Sequence, residues 1–194
     1  MTASTGISTG NEILCIIVIC HSARYEYIAV YDTDEVIVPR LHHNWTELMS
    51  DLQRRQGSHD SWSFSNAYFF EDQLGLTTEG DTDGDVPDFL HMFQYVYRSA
   101  RYTDGHTKCF YQTGGVLIVH NHVIFRCLTQ CRTHTTDQSL AHLHHYKLSC
   151  APHLQNVCQE QYKNVRTRDT AIFSVKDIVM ERMENALTDL GYLN

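Results

Sequence analysis

The chain has 194 residues, 42% of them hydrophobic and 20% charged, a composition that gives one globular domain a sizeable core and excludes a disordered tail or a fibre. Fifteen Lys and Arg stand against 23 Asp and Glu, and the net charge of −8 offers no general grip on nucleic-acid phosphates or anionic lipid. Thirteen histidines complicate that count, because protonating all of them would carry the charge to +5.

Residues 1–12 are small and polar, without a basic residue, and are expected to be flexible; the apolar run at 13–19 is too short for a signal segment or a membrane span. Together they predict a soluble protein of the cytoplasm or nucleus. Seven cysteines, an odd number without secretory context, then point to reduced thiols or metal ligands rather than a disulfide framework.

In chain order, β-branched runs predict strands at 13–19, 25–31 and 35–38, the last two joined by Asp32-Thr33-Asp34 as a hairpin turn. Asn44 with Glu47 three residues on is a capping box for a helix carrying Leu48, Met49 and Leu52, which Gly57 ends. Residues 71–90 hold seven acidic residues and no Lys or Arg, with Gly75, Gly80 and Gly84 among them, so 71–88 is expected to be a solvated acidic loop. Its segment from Glu79 through Asp81 and Asp83 to Gly84 resembles the start of an EF-hand calcium loop, with Leu90 where the bidentate Glu would stand. Pro87 opens a helix on Phe89, Phe93, Val96, Tyr97 and Ala100. Strands at 108–112 and 116–127 flank a hairpin turn at Thr113-Gly114-Gly115. A helix is read at 137–149, and a C-terminal amphipathic helix starts at Ser174 and Asp177, carries Val175, Ile178, Val179, Met183, Ala186, Leu187 and Leu190, and closes at Gly191. Strands interleaved irregularly with helices make an α+β single domain.

Eight of the thirteen histidines lie between His106 and His153, and candidate chemistry gathers there. Cys127, Cys131, Cys150 and His153 form two close pairs separated by an insert, the pattern of a closed tetrahedral Zn2+ site, with His134 and Cys158 as substitutes. The competing reading is that the cysteines are small core hydrophobes and the histidines solvated. A second arrangement is His120-x-His122 in an apolar strand, whose alternation sets both rings on one face about 7 Å apart. This pair resembles the opening of the first cupin motif, although Arg126 or Cys127 occupies the glutamate position. The stretch from Thr133 to His153 is similar to the metal-binding segment of lentiviral Vif proteins. His59-x-Ser61 and His134-x-Thr136 match the spacing of the paired motifs of 2H phosphoesterases but lack the apolar flanks of a strand.

Two functional expectations follow. The first is an intracellular interaction module stabilised by Zn2+, binding a protein partner through exposed aromatics and the acidic patch, with a composition suggestive of a viral or host-interaction protein. The second is a metal-dependent enzyme of hydrolase or oxygenase type, using His120 and His122 with His106 or His134 as a third ligand.

Overall fold

The structure is a computed structural model that describes residues 16–17, 25–72 and 86–193. Its core is a mixed sheet built from β2 (Tyr27–Ala29), β3 (Glu35–Pro39), β4 (Ser61–Phe70), β6 (Thr103–Gln112) and β10 (Ala141–Lys147), in the order β2-β6-β4-β10-β3, with β9 (Thr133–Thr135) pairing beside β4. A second, three-stranded sheet holds β1 (Ile16–Ile17), β7 (Val116–Val119) and β8 (Ile124–Cys127), and β5 (Tyr97–Ser99) pairs with β11 (Arg166–Arg168). With helix α1 (Trp45–Gln56), the short α2 (Gln155–Cys158) and the C-terminal α3 (Lys176–Asp189), the fold is the α+β domain expected. No helix among the described residues is long and apolar enough to cross a membrane.

Asn44 caps α1 as read, Glu47 N–H donating to Asn44 Oδ1 at 2.9 Å, while the return bond to Glu47 Oε2 comes from the preceding residue, His43 N–H, at 3.0 Å. Gly57 ends the helix at φ 78°, a conformation that glycine adopts without strain. At the other end of the chain, Gly191 at φ 76° closes the turn after α3, with Tyr192 N–H bonded to Leu187 C=O at 2.8 Å.

Several local expectations are corrected. Asp32-Thr33-Asp34 does not close a hairpin, since β2 and β3 lie at opposite edges of the main sheet and pair with β6 and β10. Nor do β6 and β7 pair across Thr113-Gly114-Gly115; the turn passes the chain from one sheet to the other. Glycine is needed there because a Cβ on Gly115 would come within 2.5 Å of Asp60 Oδ1. The helix expected after Pro87 is a kinked 3-10 segment, Asp88–Gln94, followed by β5, because the β-favouring run Tyr95-Val96-Tyr97 leads into pairing with β11. The segment 137–149, read as helix, contains β10 instead. Its period is two: Ala141, Leu143 and His145 point to one face, and His142, His144 and Tyr146 to the other. The strand β4, buried along its whole length, is absent from the sequence reading. The strand expected at 13–19 is described only at Ile16 and Ile17, and residues 1–12 and the part of the acidic loop from 73 to 85 lie outside the described residues.

Each face of the main sheet packs its own core. On the first face, α1 covers Ile37, Trp62, Phe64, Phe110, Ala141 and Leu143 with its Leu48, Met49 and Leu52. Farther along that face Tyr68 and Phe70 pack with Cys150, Cys158 and Tyr162. The second face packs Val38, Phe69 and Tyr146 under the 3-10 segments and α3, through Leu90, Phe93, Ile172, Val179 and Met180. On the first face, the apolar residues Ala141 and Leu143 of β10 pack under α1, and Tyr68 and Phe70 of the neighbouring β4 form the second cluster.

Candidate active site

Between the two apolar clusters of the first face runs a polar row, contributed by four strands: Glu35 from β3, His145 from β10, Asn66 from β4 and Lys108 from β6. Strand alternation explains the row. Each of these residues is two positions from an apolar residue of the α1-covered cluster on its own strand: Ile37, Leu143, Phe64 and Phe110, respectively. Cross-strand register sets His145 opposite Glu35 and Lys108 opposite Phe64.

The row is tightly connected. Lys108, 0% exposed, donates from Nζ to Asp32 Oδ2 and approaches Glu35 Oε2, both at 2.8 Å, and it also contacts Asn121 Oδ1. Asn121 donates in turn to Asp32 Oδ2 at 3.1 Å. His145 Nε2 lies 3.3 Å from Asp34 Oδ2, its Nδ1 lies 3.3 Å from Glu35 Oε1, and Asn66 Nδ2 stands 3.3 Å from that same Nδ1. The row opens to solvent at one end, where the Asp32 and Asp34 side chains are 56% and 43% exposed.

Burial sets the charges. It pushes the His145 pKa down to about 4, only partly opposed by Asp34, so the ring is neutral at pH 7 and can direct a single N–H at Asp34. Burial also raises Glu35, against the opposing bonds from Lys108. At Asp32 burial works upward too, but the hydrogen bonds from Lys108 and Asn121 outweigh it and the carboxyl stays lowered. The Asp32 and Asp34 side chains thus face outward from one short link, with Lys108 buried behind Asp32 and His145 behind Asp34.

The residues singled out in the sequence fall elsewhere or at the margin of this row. Cys127 is bonded to Cys131 and Cys150 to Cys158, so these sulfurs are engaged with one another and not free as thiolate ligands. His153 is exposed on the 3-10 turn Pro152–Leu154. His134 stacks on His59 at 5.0 Å beside Trp62. His120 and His122 sit in the turn between β7 and β8 rather than along one strand, with rings 5.8 Å apart, and Asn121 between them reaches into the row. His106 lies 5.8 Å from the His122 ring. Asp32, Asp34, Glu35, Lys108 and His145 carry the arrangement, and the sequence reading assigned none of them a site role. Two aspartates and a glutamate within four positions, directly after a strand, were the signal available.

Among the described residues, one group has metal-ligand atoms that all lie within 4.8 Å of one another: His142, His144 and Asp169. It is buried on the second face. Asp169 Oδ2 is already held by Arg98 Nε at 2.8 Å and by the Arg40 guanidinium, so a dication there would meet two fixed positive charges. The group is a structural ion-pair network.

The row thus sets ionisable groups beneath two solvent-facing carboxyl side chains, a candidate site by the clustering of its charges. Residues 18–183 match the family model of glycosyltransferase family 92, and the chain belongs to that family. No curated protein matches the chain. The family match, with the cysteines joined in disulfides, overturns the expected zinc-stabilised interaction module and the alternative metal-dependent hydrolase or oxygenase.

Proposed function

We propose that this chain transfers a glycosyl group from a phosphate-activated sugar donor to an acceptor hydroxyl, with Asp32 and Asp34 at the donor end of the site. The observation that carries the reading is the pair of outward-facing carboxylates anchored from behind, Asp32 by Lys108 and Asn121, Asp34 by His145. Breaking the bond at an anomeric carbon requires a leaving group that departs with charge, and a phosphate is repelled by carboxylates unless a cation lies between them. The donor set fits such an ion, since oxygen ligands from one or two carboxylates, completed by substrate phosphates, are the preference of Mg2+ and Mn2+. When bound, the ion supplies charge stabilisation to the departing phosphate.

The residues of the chain do the rest. Lys108 fixes the Asp32 carboxylate and keeps it ionised, while neutral His145 holds Asp34 in one orientation through Nε2–H, its unprotonated Nδ1 accepting from Asn66 Nδ2. The two apolar clusters on either side keep the row from rearranging. Two disulfides support residence in an oxidising, secretory lumen.

Calorimetric titration of Mn2+ with a panel of nucleoside diphosphates tests the donor end. Asp32→Asn and Asp34→Asn are each expected to lose metal-dependent binding while keeping the melting temperature. Binding equal to that of the unaltered protein in both variants would overturn the assignment.

A further inference from the structure

One step farther along the strands from the polar row, the same face opens into a cavity of about 280 Å3. The step is two residues on two strands, from His145 to Lys147 on β10 and from Asn66 to Tyr68 on β4, roughly 7 Å. Its walls are the rings of Tyr68, Phe70 and Tyr162, with the aliphatic Val157 at the mouth and His106 and Lys147 as polar groups. The Cys150–Cys158 disulfide forms part of the wall and staples the segment that carries Val157 to the chain just beyond β10.

We propose that this cavity is the acceptor subsite and that it takes one pyranose ring of a glycan acceptor. The proposal rests on the glycosyl-transfer reading given above. The Tyr68 and Tyr162 rings meet edge to face at 5.1 Å and 75°, an apolar corner for the C–H face of a sugar. Tyr68 is also in ring contact with His145 at 5.3 Å, which ties the corner directly to the row that orients Asp34. The polar groups at the rim, Lys147 Nζ over the Tyr68 ring at 5.6 Å and the exposed His106, can bond ring hydroxyls. A cavity just under the roughly 300–1,000 Å3 of small-molecule pockets suits one ring rather than an extended chain. Lys147 is the single ammonium in its wall, too little positive charge to balance a donor diphosphate. That places the donor at the carboxylate end and the acceptor here, on the two sides of His145.

Saturation-transfer NMR with methyl β-D-galactopyranoside, methyl β-D-glucopyranoside and methyl α-D-mannopyranoside, in the absence of any donor, reads the subsite alone. At least one of the three is expected to receive saturation from the protein, and Tyr162→Ala is expected to weaken its binding roughly ten-fold, with Tyr162→Phe restoring it. Val157→Trp, a change at a half-exposed rim position that fills the mouth without disturbing the core, is expected to abolish the transfer. Absence of transfer from all three glycosides, or transfer unaffected by Val157→Trp, would overturn the proposal. Asp34→Asn separates the two readings: it is expected to leave glycoside binding unchanged while removing Mn2+-dependent nucleotide binding. If nucleotide binding survives in that variant while Val157→Trp still blocks the glycoside, the donor assignment fails and the sugar subsite stands.

Discussion

Strand β10 shows two histidines to one face of the main sheet and a third to the other, and the two faces put them to different uses. On the second face His142 and His144 are fully buried with Asp169, whose carboxylate is shared by Arg40 and Arg98. On the first face His145 lies beside Asp34 and Glu35, at the edge of solvent. The side-chain types are nearly the same: histidine, carboxylate and a buried cation. What differs is the outlet. The second-face carboxylate has every strong partner inside the protein and nothing facing outward, so it stabilises the fold; the first-face carboxylates are held from behind and left open in front, which is the arrangement of a site. A cluster of metal-ligand residue types is therefore less informative than the direction in which its free oxygens point.

The comparison is broken most severely at Asp169. Burial works to raise its pKa, but the hydrogen bonds and charges of His142, His144 and Arg98 outweigh that and hold it well below the usual carboxylate range. Asp169→Ala leaves Arg98 buried without its counter-charge, and removing one partner of a buried pair costs about 3–5 kcal/mol. Denaturant unfolding is expected to show that loss. A cost under about 1 kcal/mol would mean that Arg98 finds another partner and that the second face is not organised around this carboxylate.

The first face should respond in the opposite manner. Asp34→Asn keeps shape and volume, and the side chain is partly exposed, so unfolding free energy should change by less than about 0.5 kcal/mol. Glycosyl transfer should fall about a hundred-fold, a loss of about 2.7 kcal/mol of transition-state stabilisation. A variant with normal turnover and lowered stability would assign Asp34 to the structural class of Asp169.

The elements legible in the sequence were those whose signals are local. The α1 helix was announced by Asn44, Glu47 and Gly57, and α3 by its apolar spacing and Gly191, because caps and amphipathic stripes are decided within a few residues. The main sheet was not legible in that way. The strand β4 alternates aromatics with Ser and Asn and is buried on both faces, and β10 offers its pattern in histidines, which a hydrophobicity reading counts as polar. The polar row was hidden for a further reason. Lys108, Glu35 and His145 are separated by 37 residues or more along the chain and become a unit only through strand register. Proximity in sequence favoured Cys127 with Cys131 and Cys150 with His153, and the first of these pairs is close in space because it is a disulfide.

Acid acts on the histidines of both faces in the same direction, and the second face gives the mildest test. Burial, followed by the charge of His142 and the nearby guanidiniums, holds the His144 pKa well below its ordinary value despite Asp169. In the unfolded chain that ring takes up a proton near pH 6.5, whereas in the folded protein it stays neutral to a lower pH. Its contribution is therefore complete above pH 6.5 and is lost as the pH falls below that value, at about 1.4 kcal/mol per pH unit for each histidine that behaves this way. His142 and His145 are depressed in the same direction, and Asp169 adds its own loss only below about pH 4, where an unfolded aspartate protonates. His144→Phe removes one of these protons while keeping a ring against Phe69 and His142, which lie 4.5 and 4.9 Å from the His144 ring. The Tyr146 hydroxyl loses its partner at 3.1 Å, so the variant starts from a lower stability at pH 7.5. Between pH 6 and 5 its unfolding free energy should then decline less steeply than that of the unaltered protein, by about one proton's worth of slope. Equal slopes would show that His144 is protonated in the fold and that the second face has an outlet for charge after all.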